Sequence, residues 1–192
     1  MNLILIYIVL LISGLMAQSN QWKQKFITAM NAKEGVSISV EIEQTQFDKK
    51  SIELGQIEII SKDNYLLDLP SETILVSRNI IKTWNKSMNQ LIIDQSIDGD
   101  LTIFDLLTGD FDDILLKEPK QVGENLSVNF NVQKMGYSGY IKTNKNGEPL
   151  EIKVSYGHNQ FLILSVINYQ KGDLKLIKKF NPINAEVIDL RE

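Results

Sequence analysis

From Val36 to Glu43 apolar and polar residues alternate without a break: Val36, Ile38, Val40 and Ile42 against Ser37, Ser39, Glu41 and Glu43. A period of two is that of a β-strand, so this stretch shows one face to water and buries the other. Ile52 and Leu54 continue the alternation, while Ile57 and Ile59 fall in the opposite phase. A bulge around Gly55 and Gln56 would reconcile the two phases, because one extra residue flips every later side chain.

The flanking sequence supplies partners for that dry face. Residues 19–32 read as a helix capped by Ser19 or Asn20, with Trp22, Phe26 and Met30 recurring every four residues as one apolar stripe. Short apolar runs at 65–69, 73–77, 80–84 and 90–93 read as strands. The stretch 95–119 changes character: 101–107 favours a short helix with Asp100 as its cap and Gly109 as its end, and 112–117 suggests a second helical turn. Strands resume at 126–132 and 139–143, followed by an Asn144-Lys145-Asn146-Gly147 hairpin turn, whose Asn and Gly tolerate positive φ. Further strands are expected at 149–154, 161–169, 174–180 and 185–189. About ten strands in meander order predict a mainly β (α+β) fold, a strongly curved antiparallel sheet wrapped over its helices.

The chain has 192 residues, enough for one domain with a substantial core and tight for two. Its net charge of −4 argues against sequence-independent nucleic-acid binding, which relies on a basic surface. Leu3 to Ile12 are all apolar and Ser13 to Ala17 form a small-residue exit, the pattern of a signal peptide cleaved after Ala17. The stretch is shorter than the ~20 residues a bilayer-spanning helix needs, and an uncleaved anchor is the alternative. Residues 18–192 then form one exported domain. There is no cysteine, which excludes disulfides, thiolate-bound zinc and a cysteine nucleophile. It also removes the acylated cysteine of a bacterial lipoprotein.

Candidate chemistry is sparse. His158, the sole histidine, lies in Tyr156-Gly157-His158-Asn159 with no companion nucleophile or second imidazole, and reads as an exposed turn residue. Asp94, Asp98, Asp100, Asp105, Asp110, Asp112 and Asp113 gather in one region, yet their spacing does not match a calcium loop, and caps and solvated turns account for them. No metal or cofactor is expected. Glu41, Glu43, Glu58 and Asp68 read as acids on the wet sheet face, not as a catalytic pair. What remains is the apolar face, to which the pattern assigns Val36, Ile38, Val40, Ile42, Leu67, Leu69, Trp84, Leu91 and Ile93. A core and a lipid-binding concavity share this signature, so periodicity alone does not separate them.

One segment adds more. Residues 70–93 run Pro70, Ile74-Leu75-Val76-Ser77, a strand ending in Trp84-Asn85, then Asn89-Gln90 and an aliphatic strand. This order resembles the signature of the outer-membrane lipoprotein carrier (LolA) family. Leu101 to Leu107 resembles the family's run ending in Leu-Leu, the Asn144 hairpin stands at the matching place, and Phe180-Asn-Pro-Ile-Asn-Ala-Glu-Val-Ile-Asp-Leu-Arg191 is similar to its closing pattern. Lys62-Asp63-Asn64 stands where the family has Arg-Pro, Arg78-Asn79 where it has Asp-Gly, and Lys82 and Trp84 where it has Trp and then Tyr. The gating arginine is therefore not carried over.

The resemblance implies an incomplete antiparallel β-barrel with a helical lid. It implies a periplasmic, non-enzymatic and monomeric chaperone, with Trp84, Phe104, Leu107 and the dry-face aliphatics shielding acyl chains. Its partners would be acylated lipoproteins, an inner-membrane lipoprotein-releasing ABC transporter, and an outer-membrane acceptor whose identity the sequence leaves open. The related receptor family (LolB) is itself a lipoprotein, so the missing cysteine favours the carrier. A periplasmic sensor or regulatory domain on the same fold is the main alternative, and a secreted hydrolase on a curved sheet is a third reading.

Overall fold

The computed structural model of the chain describes residues 20–95 and 102–191; the leader assigned to 1–17, the cap at Ser19, and Asp98, Asp100 and Leu101 lie outside them. The alternating stretch becomes β1 (Val36–Gln46), and Val36, Ile38 and Val40 are completely buried. β2 (Lys49–Ser61) folds back on it in unbroken register, with Ile57 opposite Ile38 and Ile59 opposite Val36. The bulge expected at Gly55 and Gln56 is not there. Leu54 faces Glu41 and Ile52 faces Glu43 across the pair, so both sit on the outer face and are mostly exposed. The irregularity falls between Ile59 and Ser61 instead, where β2 meets β3 (Asn64–Asp68).

Tight turns lead through β4 (Glu72–Ser77), β5 (Ile80–Asn85) and β6 (Gln90–Gln95). A crossover carrying α2 (Ile103–Thr108) leads to β7 (Leu115–Leu116), β8 (Lys120–Val122), β9 (Asn125–Val132), β10 (Tyr137–Thr143), β11 (Pro149–Gly157) and β12 (Gln160–Lys171). β12 pairs antiparallel with β1 and joins the two meanders. The result, among the described residues, is one strongly curved open sheet with β7 at one edge and β13 (Glu186–Asp189) at the other. One pairing is not antiparallel: β13 runs parallel to β6. Residues 112–117, expected to be helical, form a turn and the short strand β7 against β9.

Two helices fill the concave side. The predicted stripe of α1 (residues 20–30) is buried: Trp22 stacks on Phe26 at 5.4 Å, and Phe111 lies 5.8 Å from Phe26. Trp22 Nε1 donates to Thr143 Oγ1 at 3.0 Å and the Tyr169 hydroxyl donates to the Ala29 carbonyl at 2.6 Å, so polar groups taken from water keep partners. α2 begins with a capping box built on Thr102 and Asp105, not on Asp100, and ends at Gly109 with φ 78°. It places Phe104 on Tyr65, with ring centroids 4.1 Å apart. The hairpin at Asn144 forms as predicted, and Asn144 Oδ1 accepts from the Asn146 and Glu148 amides. Gly147 serves twice: its φ is +87°, and a Cβ there would stand 2.5 Å from the Lys25 carbonyl carbon of α1.

Residues 174–180, expected as a strand, instead contain a single helical turn, α3 (Leu176–Lys179). Its cause is distant in sequence. Glu58, on the outer face of β2 and 2% exposed, accepts the backbone N–H groups of Lys175, Leu176 and Ile177 at 2.8, 2.9 and 2.9 Å. These amides have no partner within a helix, and a carboxylate is their natural complement.

Burial leaves a titration signature. Burial first, then the charge of Asp105, pushes the Tyr65 hydroxyl up to about 12. Burial, then Glu148 and Glu34, raise Tyr169 to about 12, and burial, then the hydrogen bond to Glu151, raise Tyr140 to about 12. An unfolded tyrosine ionises at about 10, so this contribution to stability is complete below that pH and is lost as pH climbs through the folded value. A phenolate-absorbance titration should find these three hydroxyls protonated at about pH 11. Ionisation of all tyrosines together near pH 10 would contradict the packing.

Candidate functional site

Residues paired across neighbouring strands share a face, so the register assigns every side chain to the concave or the convex surface. One concave row runs Ile38, Ile57, Leu67, Ile74, Thr83 and Ile92. The adjacent convex rows run Gln56, Asp68, Thr73, Trp84, Leu91 and Glu58, Leu66, Leu75, Lys82, Ile93. Val36, Ile38, Val40, Ile42, Leu67 and Leu69 therefore meet on the concave face as the sequence predicts, and Phe104 and Leu107 of α2 pack against the same core. Trp84, Leu91 and Ile93 do not: they belong to the convex face. β4 to β6 are apolar in both phases, so alternation marks no inner face there, and the turns alone set it. The second apolar phase has a structural use. Trp84 Nε1 donates to Asn89 Oδ1 at 3.1 Å, and Asn89 Nδ2 donates to the Asn184 carbonyl at 3.0 Å, tying the outer face to the C-terminal segment.

Burial grades along the concave face. Val36, Ile38, Val40 and Leu107 have no exposure, because Phe26, Met30, Phe104 and Phe111 occupy the space beside them. The protein's own helices thus fill the middle of the concavity. Beyond Val40 the filling thins: Ile42 and Leu162 pack on the core but remain half-buried, as do Leu69, level with Val40, and Ile74, level with Ile38 on β4. Tyr137 and Tyr156 cross edge to face at 5.0 Å at the same end, and burial, with Tyr137 second, raises the Tyr156 hydroxyl. This half-open apolar end is the candidate site. A cleft of about 410 Å³ outside α1, lined by Gln21, Gln24, Lys25 and Glu148 among others, is polar and suits no aliphatic ligand.

No family model matches the chain, and no curated protein matches it. Solved structures do resemble it. An uncharacterized conserved protein from Thermus thermophilus superposes with a TM-score of 0.59 at 15% identity, covering 90% of this chain and 99% of its own. A LolA superfamily protein from Nitrosomonas europaea follows at TM-score 0.47 and 12% identity, over 85% of this chain and 97% of its own. A domain from Vibrio parahaemolyticus, provisionally assigned to outer-membrane lipoprotein sorting, gives 0.48 at 6% identity, over 86% and 97%. The Thermus likeness establishes the fold and nothing of the chemistry; the other two superpose more loosely.

The site holds one residue that the apolar pattern passes over. Glu53 pairs with Ile42 across β1 and β2 and so faces the concavity. Its position was legible in principle, since 53, 55, 57 and 59 share one phase of β2. Leu162, Ile74, Tyr137 and Tyr156 were missed for other reasons: the strands of Leu162 and Ile74 were recognised but their inner faces were not, and Tyr137 and Tyr156 lie in strand ends beyond the expected 139–143 and 149–154. Several of the acids named in the sequence have structural partners: Asp68 with Thr73 and Lys86, Glu43 with Lys50, Asp105 in the cap of α2, and Asp113 with Lys134. His158 is exposed in the turn between β11 and β12. Among the described residues no three His, Cys, Asp or Glu side chains gather as a metal site.

Proposed function

We propose that the chain is an exported, non-enzymatic carrier that shields the acyl chains of lipoproteins at the half-open end of its concave face, between release from the inner membrane and delivery to the outer membrane. The observation that carries this reading is the loss of burial along β1, from none exposed at Val36, Ile38 and Val40 to half-buried Ile42, on a face otherwise lined by aliphatics. The resemblance of residues 70–93, 101–107 and 180–191 to lipoprotein carriers supports it. Each methylene kept from water is worth about 0.8 kcal/mol, so acyl chains need cover to cross an aqueous gap. A shallow apolar end beside a filled core holds part of a chain and lets it leave. Deeper seating requires α2, six residues long, to lift Phe104 from Tyr65. An inner-membrane releasing transporter and an outer-membrane acceptor complete the route.

The test uses the neutral apolar dye N-phenyl-1-naphthylamine with the mature chain, and purification from a Gram-negative host to look for bound acylated lipoprotein. The wild type should take up dye and carry acylated cargo. Ile42→Asp should weaken dye binding by about tenfold or more with an unchanged circular dichroism spectrum, because it puts a charge where methylenes must sit. Dye uptake unaffected by Ile42→Asp, and no acylated cargo, would overturn the reading.

A further inference from the structure

The two acids of β2 are treated in opposite ways. Glu58 uses both carboxylate oxygens, on the three amides that open α3. Glu53 does not: its Oε2 is buried and no hydrogen-bond donor reaches it. Leaving a buried acceptor unpaired is unfavourable, and native proteins rarely keep one without a use. The position is not a generous one for a carboxylate either. Glu53 lies directly opposite Ile42, on the concave phase shared with Ile57 and Ile59, at the half-open apolar end described above.

We infer that Glu53 is the polar recognition residue of this groove, accepting an N–H donor at the point where an aliphatic chain joins its head group, once the side chains that cover its Oε2 part to admit the chain. The inference rests on the acyl-binding reading and narrows it. A carboxylate oxygen can only accept, so its complement must donate. An amide-linked acyl chain brings an N–H at the junction. An ester-linked chain brings acceptors only, and a free fatty acid brings a like charge. The groove thus favours the amide-linked chain and turns the fatty acid away.

Three ligands of equal chain length separate these chemistries in competition with N-phenyl-1-naphthylamine: N-dodecylacetamide, dodecyl acetate and dodecanoate. The wild type should bind the amide most tightly and dodecanoate least. Glu53→Leu should lower the amide-to-ester affinity ratio by about tenfold, the worth of a hydrogen bond to a charged group. The same variant should melt at or above the wild-type temperature, since it removes an unpaired buried oxygen. Glu53→Gln keeps an acceptor and loses the charge, so it should retain most of the amide preference while admitting dodecanoate; it also decides the matter should Glu53→Leu fail to fold. An amide-to-ester ratio that is the same in wild type and variants overturns the assignment of Glu53 and leaves the groove standing. Absence of dye binding by the wild type overturns the groove and this inference together.

Discussion

Phe26→Ala is expected to cost about 3–5 kcal/mol of stability, the range for emptying a buried aromatic site. Phe26 has no exposure, stacks on Trp22 at 5.4 Å and sits 5.8 Å from Phe111, so little around it can collapse into the space left behind. Against a typical total of about 5–15 kcal/mol, that loss is a large share of what holds the chain folded. Urea unfolding followed by tryptophan fluorescence measures it, Trp22 lying in the same stripe. The size of the loss also decides what α1 is. A helix that serves as the permanent filling of the sheet must show the full core penalty. A helix that rests loosely as a cover would lose about 0.5 kcal/mol or less, within the range of surface substitutions. Dye uptake should not fall in this variant, because the new cavity adds apolar space beside the half-open end.

The parts of the fold legible in the sequence are those where one residue's neighbours in sequence determine its surroundings. β1 is amphipathic over its whole inner half, and its phase alone placed Val36, Ile38, Val40 and Ile42. The four-residue spacing of Trp22, Phe26 and Met30 did the same for α1, and Asn144 with Gly147 fixed a turn through local hydrogen bonds. Where a strand is covered on both faces the signal vanishes. Ile80-Ile81 and Leu91-Ile92-Ile93 are apolar in both phases, so Trp84, Leu91 and Ile93 could not be assigned a side without the register. Ile52 and Leu54 mislead for the converse reason. They are apolar and exposed, and they suggested a bulge where the sheet simply leaves two aliphatics outside.

The candidate site was half legible. The aliphatics of β1 were found because they belong to clean alternation, and Leu67 and Leu69 because Asp68 between them marks the opposite face. That most of them lie under Phe26, Met30 and Phe104 was not, since the docking of α1 and α2 joins residues far apart in sequence. Glu53 shows the same limit from another side. A single acid in a strand reads as solvated, and the bulge expected at Gly55 and Gln56 hid the phase it shares with Ile57 and Ile59.

Glu58 carries the second large effect. Glu58→Ala should destabilise the chain by about 3–5 kcal/mol, the scale on which a buried polar network loses one partner. The carboxylate is almost completely buried and holds three successive amides, at Lys175, Leu176 and Ile177, so its removal strands all three at once. Glu58→Gln should recover little. Its amide keeps one accepting oxygen but turns an N–H₂ toward donors, which places like against like. The loss should also have a direction along the chain. α3 begins the segment that crosses the convex face to β13, and that segment is otherwise tied down by Asn89 at the Asn184 carbonyl and by pairing with β6. Hydrogen exchange should therefore quicken at Lys175 to Ile177 first and at Glu186 to Asp189 next, while β1 and β12 stay protected. Uniform acceleration through β1 would mean that Glu58 supports the whole sheet, and unchanged exchange at Lys175 to Ile177 would mean that the carboxylate does not hold α3.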